Sequence, residues 1–148
     1  MNQQADWMIA DLAKVDRNKT PWVITAGHRP WYSSGSICKA CQSAFEKVLN
    51  DNKVDLHLAG HFHVYERMAP VGLGGVIDPN GLNNPSAPWY IVNGAAGHYD
   101  GLDSFTTPLQ PYHRFGLSTD NGIYGVSLIF LLAFPRSSRA NHVPSGAN

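Results

Sequence analysis

At 148 residues, 43% of them apolar and 15% charged, the chain is long enough to bury a core and too apolar to be read as disordered. Its formal charge is zero, so no basic surplus points to nucleic acid or to an anionic membrane surface. The longest apolar run, "LIFLLAF" at 128–134, falls far short of the roughly 20 residues that cross a bilayer, and the first residues lack the basic start and apolar stretch of a signal peptide.

Residues 3–15 predict an amphipathic helix, with Trp7, Met8, Ala10, Leu12 and Val15 near helical spacing and Pro21 as the breaker beyond it. "WVITA" at 22–26 is a short apolar run with β-branched residues and predicts a buried strand. "GHRPWYSSGS" at 27–36 predicts a loop. Cys38 and Cys41 form a lone C-x-x-C. Two thiolates are too few for a structural zinc site, which leaves a disulfide or a dithiol. Residues 41–50 return to helical spacing, with Ala44, Phe45, Val48 and Leu49 as the apolar face, and "VDLHLA" at 54–59 predicts a second buried strand. Residues 60–69 lead away from it, and the Gly- and Pro-rich stretch 68–88 predicts a long loop. "WYIVNGAAG" at 89–97 predicts a third strand ending in a tight turn, and "NGIYGVSLIFLLAF" at 121–134 a turn followed by an antiparallel fourth. The end, 135–148, has no apolar period and predicts a disordered tail.

A strand–helix–strand unit makes its two strands parallel, joined by a right-handed crossover. Ligands of open α/β sheets bind beyond the carboxyl ends of parallel strands. His28 and His61 each follow a strand end by one glycine, so both fall on one sheet edge. His61 and His63 stand two apart in an extended stretch and share a direction. Neutral imidazoles suit zinc, iron and copper, so His28, His61 and His63 are candidate metal ligands. Gly27 and Gly60 would let the backbone turn sharply beside an ion. His57, between Leu56 and Leu58, reads as a packed strand residue; His98, just after a strand end, reads as a solvent-facing loop residue more than as a pocket-lining one, and His113 and His142 as surface residues. Asp55, Asp100 and Asp103 are not placed to bridge two ions.

"GHRPWYSS" and "GHFHVYER" resemble two metal-binding blocks of purple acid phosphatases, in the calcineurin-like metallophosphoesterase superfamily. "TPWVITAGHRPWY", the C-x-x-C helix and "YIVNGAAGHYDGL" resemble the fungal branch, and the resemblance covers roughly 3–126. It implies an α/β fold, part of a metallophosphoesterase sandwich of sheets with flanking helices. It implies phosphate monoester hydrolysis at a dinuclear centre of Fe3+ with Zn2+, Fe2+ or Mn2+. By motif, His28 and His61 resemble ligands of the divalent ion and His63 a ligand of the ferric ion. The family's other ligands stand in G-D-x-G, G-D-x-x-Y and G-N-H-[DE] blocks, and this chain contains no "GD" and no "GNH". Residues 1–134 therefore read as the C-terminal portion of such a domain without its N-terminal half, with an apolar sheet face left bare and no expected activity alone. Tyr65, Glu66 and Arg67 read as support for the ligands, and no separate catalytic residue is assigned. The resemblance also implies secretion, under which Cys38 and Cys41 would be oxidised and Asn18-Lys19-Thr20 could carry a glycan. Two other readings are a metal-binding fragment without turnover and a thioredoxin-like dithiol protein. Against the second, eleven residues separate Ala26 from Cys38.

Overall fold

The computed structural model describes residues 2–125. Helix α1 (Gln3–Leu12) starts where the Asn2 side chain accepts the Gln4 N–H. It ends three residues before the predicted Val15, because Lys14 and Val15 donate to carbonyls three residues back and tighten the last turn. Met8 and Leu12 pack against the core, whereas Trp7 is 64% exposed on the opposite side. Strand β1 (Ile24–Gly27) follows. Helix α2 (Lys39–Asp51) presents the predicted face, with Val48 and Leu49 buried and Cys41 and Phe45 packed partly against the core. Cys38 caps it and is disulfide-bonded to Cys41, S–S 2.04 Å, which decides between the two thiol states left open by the sequence.

Strand β2 (Leu56–Ala59) lies parallel to β1, Ile24 opposite Leu56 and Gly27 opposite Ala59, as the crossover argument requires. Three strands were not legible: β3 (Tyr65–Gly72), β4 (Val76–Ile77) and β6 (His113–Leu117), the first running into the stretch predicted to be loop and the second inside it. The third predicted strand is present as β5 (Trp89–Asn93). The sheet order is β1-β2-β5-β3-β4, with β6 paired to β3. Strand β3 hides because Glu66, Arg67 and Pro70 are all poor strand formers. It forms because Glu66 and Met68 alternate into the core, and because the β3–β5 register shifts between Arg67 and Pro70, where the ring replaces a ladder N–H. The predicted strand at 126–134 and the tail at 135–148 lie outside the described residues.

The core sits between the sheet and α2. Trp31, Tyr32, Leu49, Phe62, Val64, Tyr90 and Val92 belong to it, two of them supplied by the loop after β1. His57 is a packed strand residue as predicted. It is 3% exposed, its ring stacks on Trp31 at 4.2 Å, and its Nδ1 lies 2.9 Å from Thr25 Oγ1. Burial pulls its pKa down to about 4, so it is neutral near pH 7. Strand β1 is not the buried strand expected: β2 is its only partner among the described residues, and Ile24 is 42% exposed. On that face Ile24, Ala26 and Phe115 are exposed, whereas Leu56 and Ile91 between them are buried. Among the described residues no helix is long and apolar enough to cross a membrane.

Candidate metal centre

The parallel pair β1–β2 delivers His28 and His61 to one sheet edge. The Gly60 N–H donates to the His28 carbonyl at 3.0 Å, and His28 Nε2 lies 3.0 Å from His61 Nδ1. The turn after β2 is made at His61 itself, which has a φ of 64°, and not by the preceding glycine. Gly27 is not required by space, since a Cβ there would meet the His57 ring at an ordinary contact distance of 3.4 Å. The His61 pKa is lowered, first by desolvation and then by the positive charge of Arg29 and the neighbouring His28 and His63, which favours neutral imidazole.

Phe62 fixes the geometry of the G-H-x-H turn. Its ring is buried against Phe105, and the backbone passes so near Gly94 that a Cβ there would stand 2.0 Å from the Phe62 carbonyl oxygen. With Phe62 locked inward, His61 and His63 flank it. His63 is held from the side. Its N–H donates to Asp103 Oδ2 at 2.7 Å, its carbonyl accepts the Asp103 N–H at 3.1 Å, and its Nδ1 lies 3.0 Å from the Gly101 carbonyl oxygen. That last contact turns Nε2 away as the free ring nitrogen.

All three histidines line one cleft of about 830 Å3, together with His98, Asp100 and Asp103. His98 is therefore a cleft residue and not simply a solvent-facing one: its ring lies 4.7 Å from that of His63, and its Nδ1 is 3.2 Å from Asp100 Oδ2. His113 is not a surface residue either. It sits on β6 with Nδ1 2.8 Å from Oε1 of the fully buried Glu66. Sequence reasoning missed the Asp103 clamp on His63 and the Glu66–His113 pair, because both span β3 and the segments that follow β5. The run of acidic residues in "GHYDGLD" was the available signal for Asp103.

The donor set fits part of a dinuclear centre. Two imidazole nitrogens on one ion, each at about 2.0–2.1 Å, stand roughly 3 Å apart, which is the His28–His61 spacing. A carbonyl that fixes one nitrogen of a histidine and leaves the other free is how a ligand is oriented. Among the described residues, however, no three His, Cys, Asp or Glu side chains gather around one point, and no carboxylate bridges. The arrangement brings the His28 and His61 nitrogens to 3.0 Å and leaves His63 Nε2 free on the same cleft.

Residues 2–65 match the calcineurin-like phosphoesterase family model. Residues 87–129 match the model described as iron/zinc purple acid phosphatase-like protein C. The resemblance to purple acid phosphatases drawn from the two histidine blocks is thus matched on both sides of the G-H-x-H turn. Acid phosphatase A of Cryphonectria parasitica is 52% identical over 105 residues, 69% of this chain and 21% of that protein. An acid phosphatase of Aspergillus ficuum is 41% identical over 114 residues, 70% of this chain and 19% of that protein. Purple acid phosphatase 21 of Arabidopsis thaliana is 38% identical over 119 residues, 77% of this chain and 26% of that protein. The solved structure of a purple acid phosphatase from yellow lupin (Lupinus luteus) seeds matches with a TM-score of 0.63 at 25% identity, covering 78% of this chain and 22% of that one. The chain thus spans about a fifth to a quarter of the length of these curated relatives.

Proposed function

We propose that the chain is the His28–His61–His63 part of a metal-dependent phosphate monoester hydrolase, an acid phosphatase, with residues 1–134 forming part of its catalytic domain. One observation carries the reading: His28 Nε2 and His61 Nδ1, from the ends of two parallel strands, converge to 3.0 Å, the spacing of two ligands on one ion. His28 and His61 hold the divalent ion, zinc, ferrous iron or manganese. His63 holds the ferric ion through Nε2, its Nδ1 being committed to the Gly101 carbonyl. When bound, two cations supply Lewis acidity to a phosphoryl oxygen and lower the pKa of a water. The chain's own residues then have defined work. His98 and Asp100 border the space where the ester lies, and Arg29 adds positive charge beside His61. The relatives named as acid phosphatases support the substrate class. Secretion fits the Cys38–Cys41 disulfide.

The test separates binding from turnover. Zinc titrated into the purified chain binds, and His28→Ala with His61→Ala abolishes that binding while the fold, followed by circular dichroism, persists. Equal zinc binding by wild type and double variant would overturn the ligand assignment. The chain alone shows no turnover of p-nitrophenyl phosphate, because no bridging carboxylate stands among its described residues. Turnover at the rate of an intact acid phosphatase would refute that part.

A further inference from the structure

We infer that Glu66 is a positioning residue for the metal centre, a buried clamp that sets the distance between His28 and His61; the inference rests on the metal reading above. Glu66 is 0% exposed. A carboxylate taken wholly out of water is costly unless its oxygens are hydrogen-bonded, and a well-packed apolar residue at such a place is often more stabilising. A buried carboxylate with a full set of donors therefore points to something beyond stability.

The donors show what it joins. Oε2 accepts from Ser33 Oγ at 2.7 Å and from the Ser34 N–H at 2.9 Å. Oε1 accepts from the same Ser34 N–H at 3.0 Å and lies 2.8 Å from His113 Nδ1. Three segments meet on one carboxylate: the loop that carries His28, strand β3 that follows His63, and strand β6.

The loop needs such an anchor. It leaves β1, which pairs only with β2 among the described residues, and His28 is itself exposed. Between His28 and Ser33 the chain is stiff, with Pro30, Trp31 and Tyr32 all buried. Fixing Ser33 and Ser34 therefore fixes the backbone from which His28 projects. The same stretch reaches the other histidines: a Cβ on Gly35 would stand 2.2 Å from the Phe62 ring, and Phe62 separates His61 from His63. Contacts from Glu66 thus run to both halves of the ligand pair without Glu66 lining the cleft.

The test uses Co2+ as the probe metal and the nuclear magnetic resonance signals of the His28 and His61 rings in the metal-free chain. Glu66→Gln keeps the shape and removes the charge and an acceptor. In a folded Glu66→Gln chain the ring-to-ring contact weakens and Co2+ affinity falls tenfold or more, with no change in which nitrogens bind. Should Glu66→Gln fail to fold, Ser33→Ala, which deletes one of the donors, gives the same two readouts at smaller amplitude. An intact ring contact with Co2+ affinity within twofold of wild type, in whichever variant folds, overturns the proposal. If His28→Ala with His61→Ala binds Co2+ as tightly as wild type, the metal reading fails, and the ring contact alone decides the role of Glu66.

Discussion

The two histidine-bearing turns are built differently, although the sequence makes them look alike. The turn after β2 is held on every side: Phe62 is buried, Gly94 admits its carbonyl, and Asp103 and Gly101 grip His63. The turn after β1 leaves a strand that pairs only with β2 among the described residues, and one backbone bond, Gly60 N–H to the His28 carbonyl, ties it at the histidine. Its order comes from further along, where Trp31 stacks on His57 and Ser33 and Ser34 meet Glu66. One turn is fixed where its ligands are, the other from three to six residues away. The two should therefore fail under different insults.

The largest effect is expected in the second turn. Gly94→Ala places a Cβ 2.0 Å from the Phe62 carbonyl oxygen and 2.8 Å from its carbon, a clash with backbone that no rotamer relieves. Separating β5 from the turn costs about 3 kcal/mol or more, at the upper end of overpacking effects. Urea unfolding measures it. A midpoint within error of wild type would mean that Gly94 does not set the turn.

Acid should loosen the first turn instead. The folded-state pKa of His57 is about 4, below the 6.5 of an unperturbed histidine. Above pH 6.5 both states are neutral and His57 has no effect. Between 6.5 and about 4 the unfolded chain takes up a proton that the folded chain refuses, so stability falls as pH falls, and it levels off below 4. The shift corresponds to about 3 kcal/mol. Urea midpoints from pH 7 to pH 4 test this against His57→Leu, which removes the His57 part of the dependence; equal slopes for both chains would remove His57 as a source.

How much of this could be read from the sequence follows the same division. The parallel pair, its crossover helix and the convergence of His28 with His61 were legible, because each depends on local period and on chain order. His57 was legible because it alternates with Leu56 and Leu58. Strand β3 was not, since its Glu66, Arg67 and Pro70 are stabilised by partners far away in sequence: Ser33, Ser34, His113 and a register shift. The roles of Asp103 and His113 were hidden for that reason too. The buried environment of "WYSS" could not be seen either, because loop composition says nothing of what packs over it.

Gly35→Ala probes the junction between the turns. A Cβ there meets the Phe62 ring at 2.2 Å, but a side chain yields where a backbone does not. A smaller loss, about 2 kcal/mol, is expected, with the two histidine resonances shifting together. Movement of His28 alone would show that Gly35 does not touch the second turn.

The smallest effect sharpens the comparison most. Asp103→Asn keeps an oxygen for the His63 N–H, now a neutral acceptor in place of a charged one. Bonds to charged partners are stronger than neutral ones, and the site is partly buried, so a loss of about 1 kcal/mol is expected. The change should be local. His63 keeps the Gly101 carbonyl on Nδ1, so its ring orientation persists. The Asp103 charge raises the His61 pKa, so its loss moves His61 further toward neutral imidazole and should leave the His28–His61 contact in place. Hydrogen exchange at the His63 amide is the measurement: it should quicken in Asp103→Asn while the Gly60 amide, bonded to the His28 carbonyl, exchanges as before. Faster exchange at both amides would mean that the two turns open as one unit and that their separate anchoring is wrong.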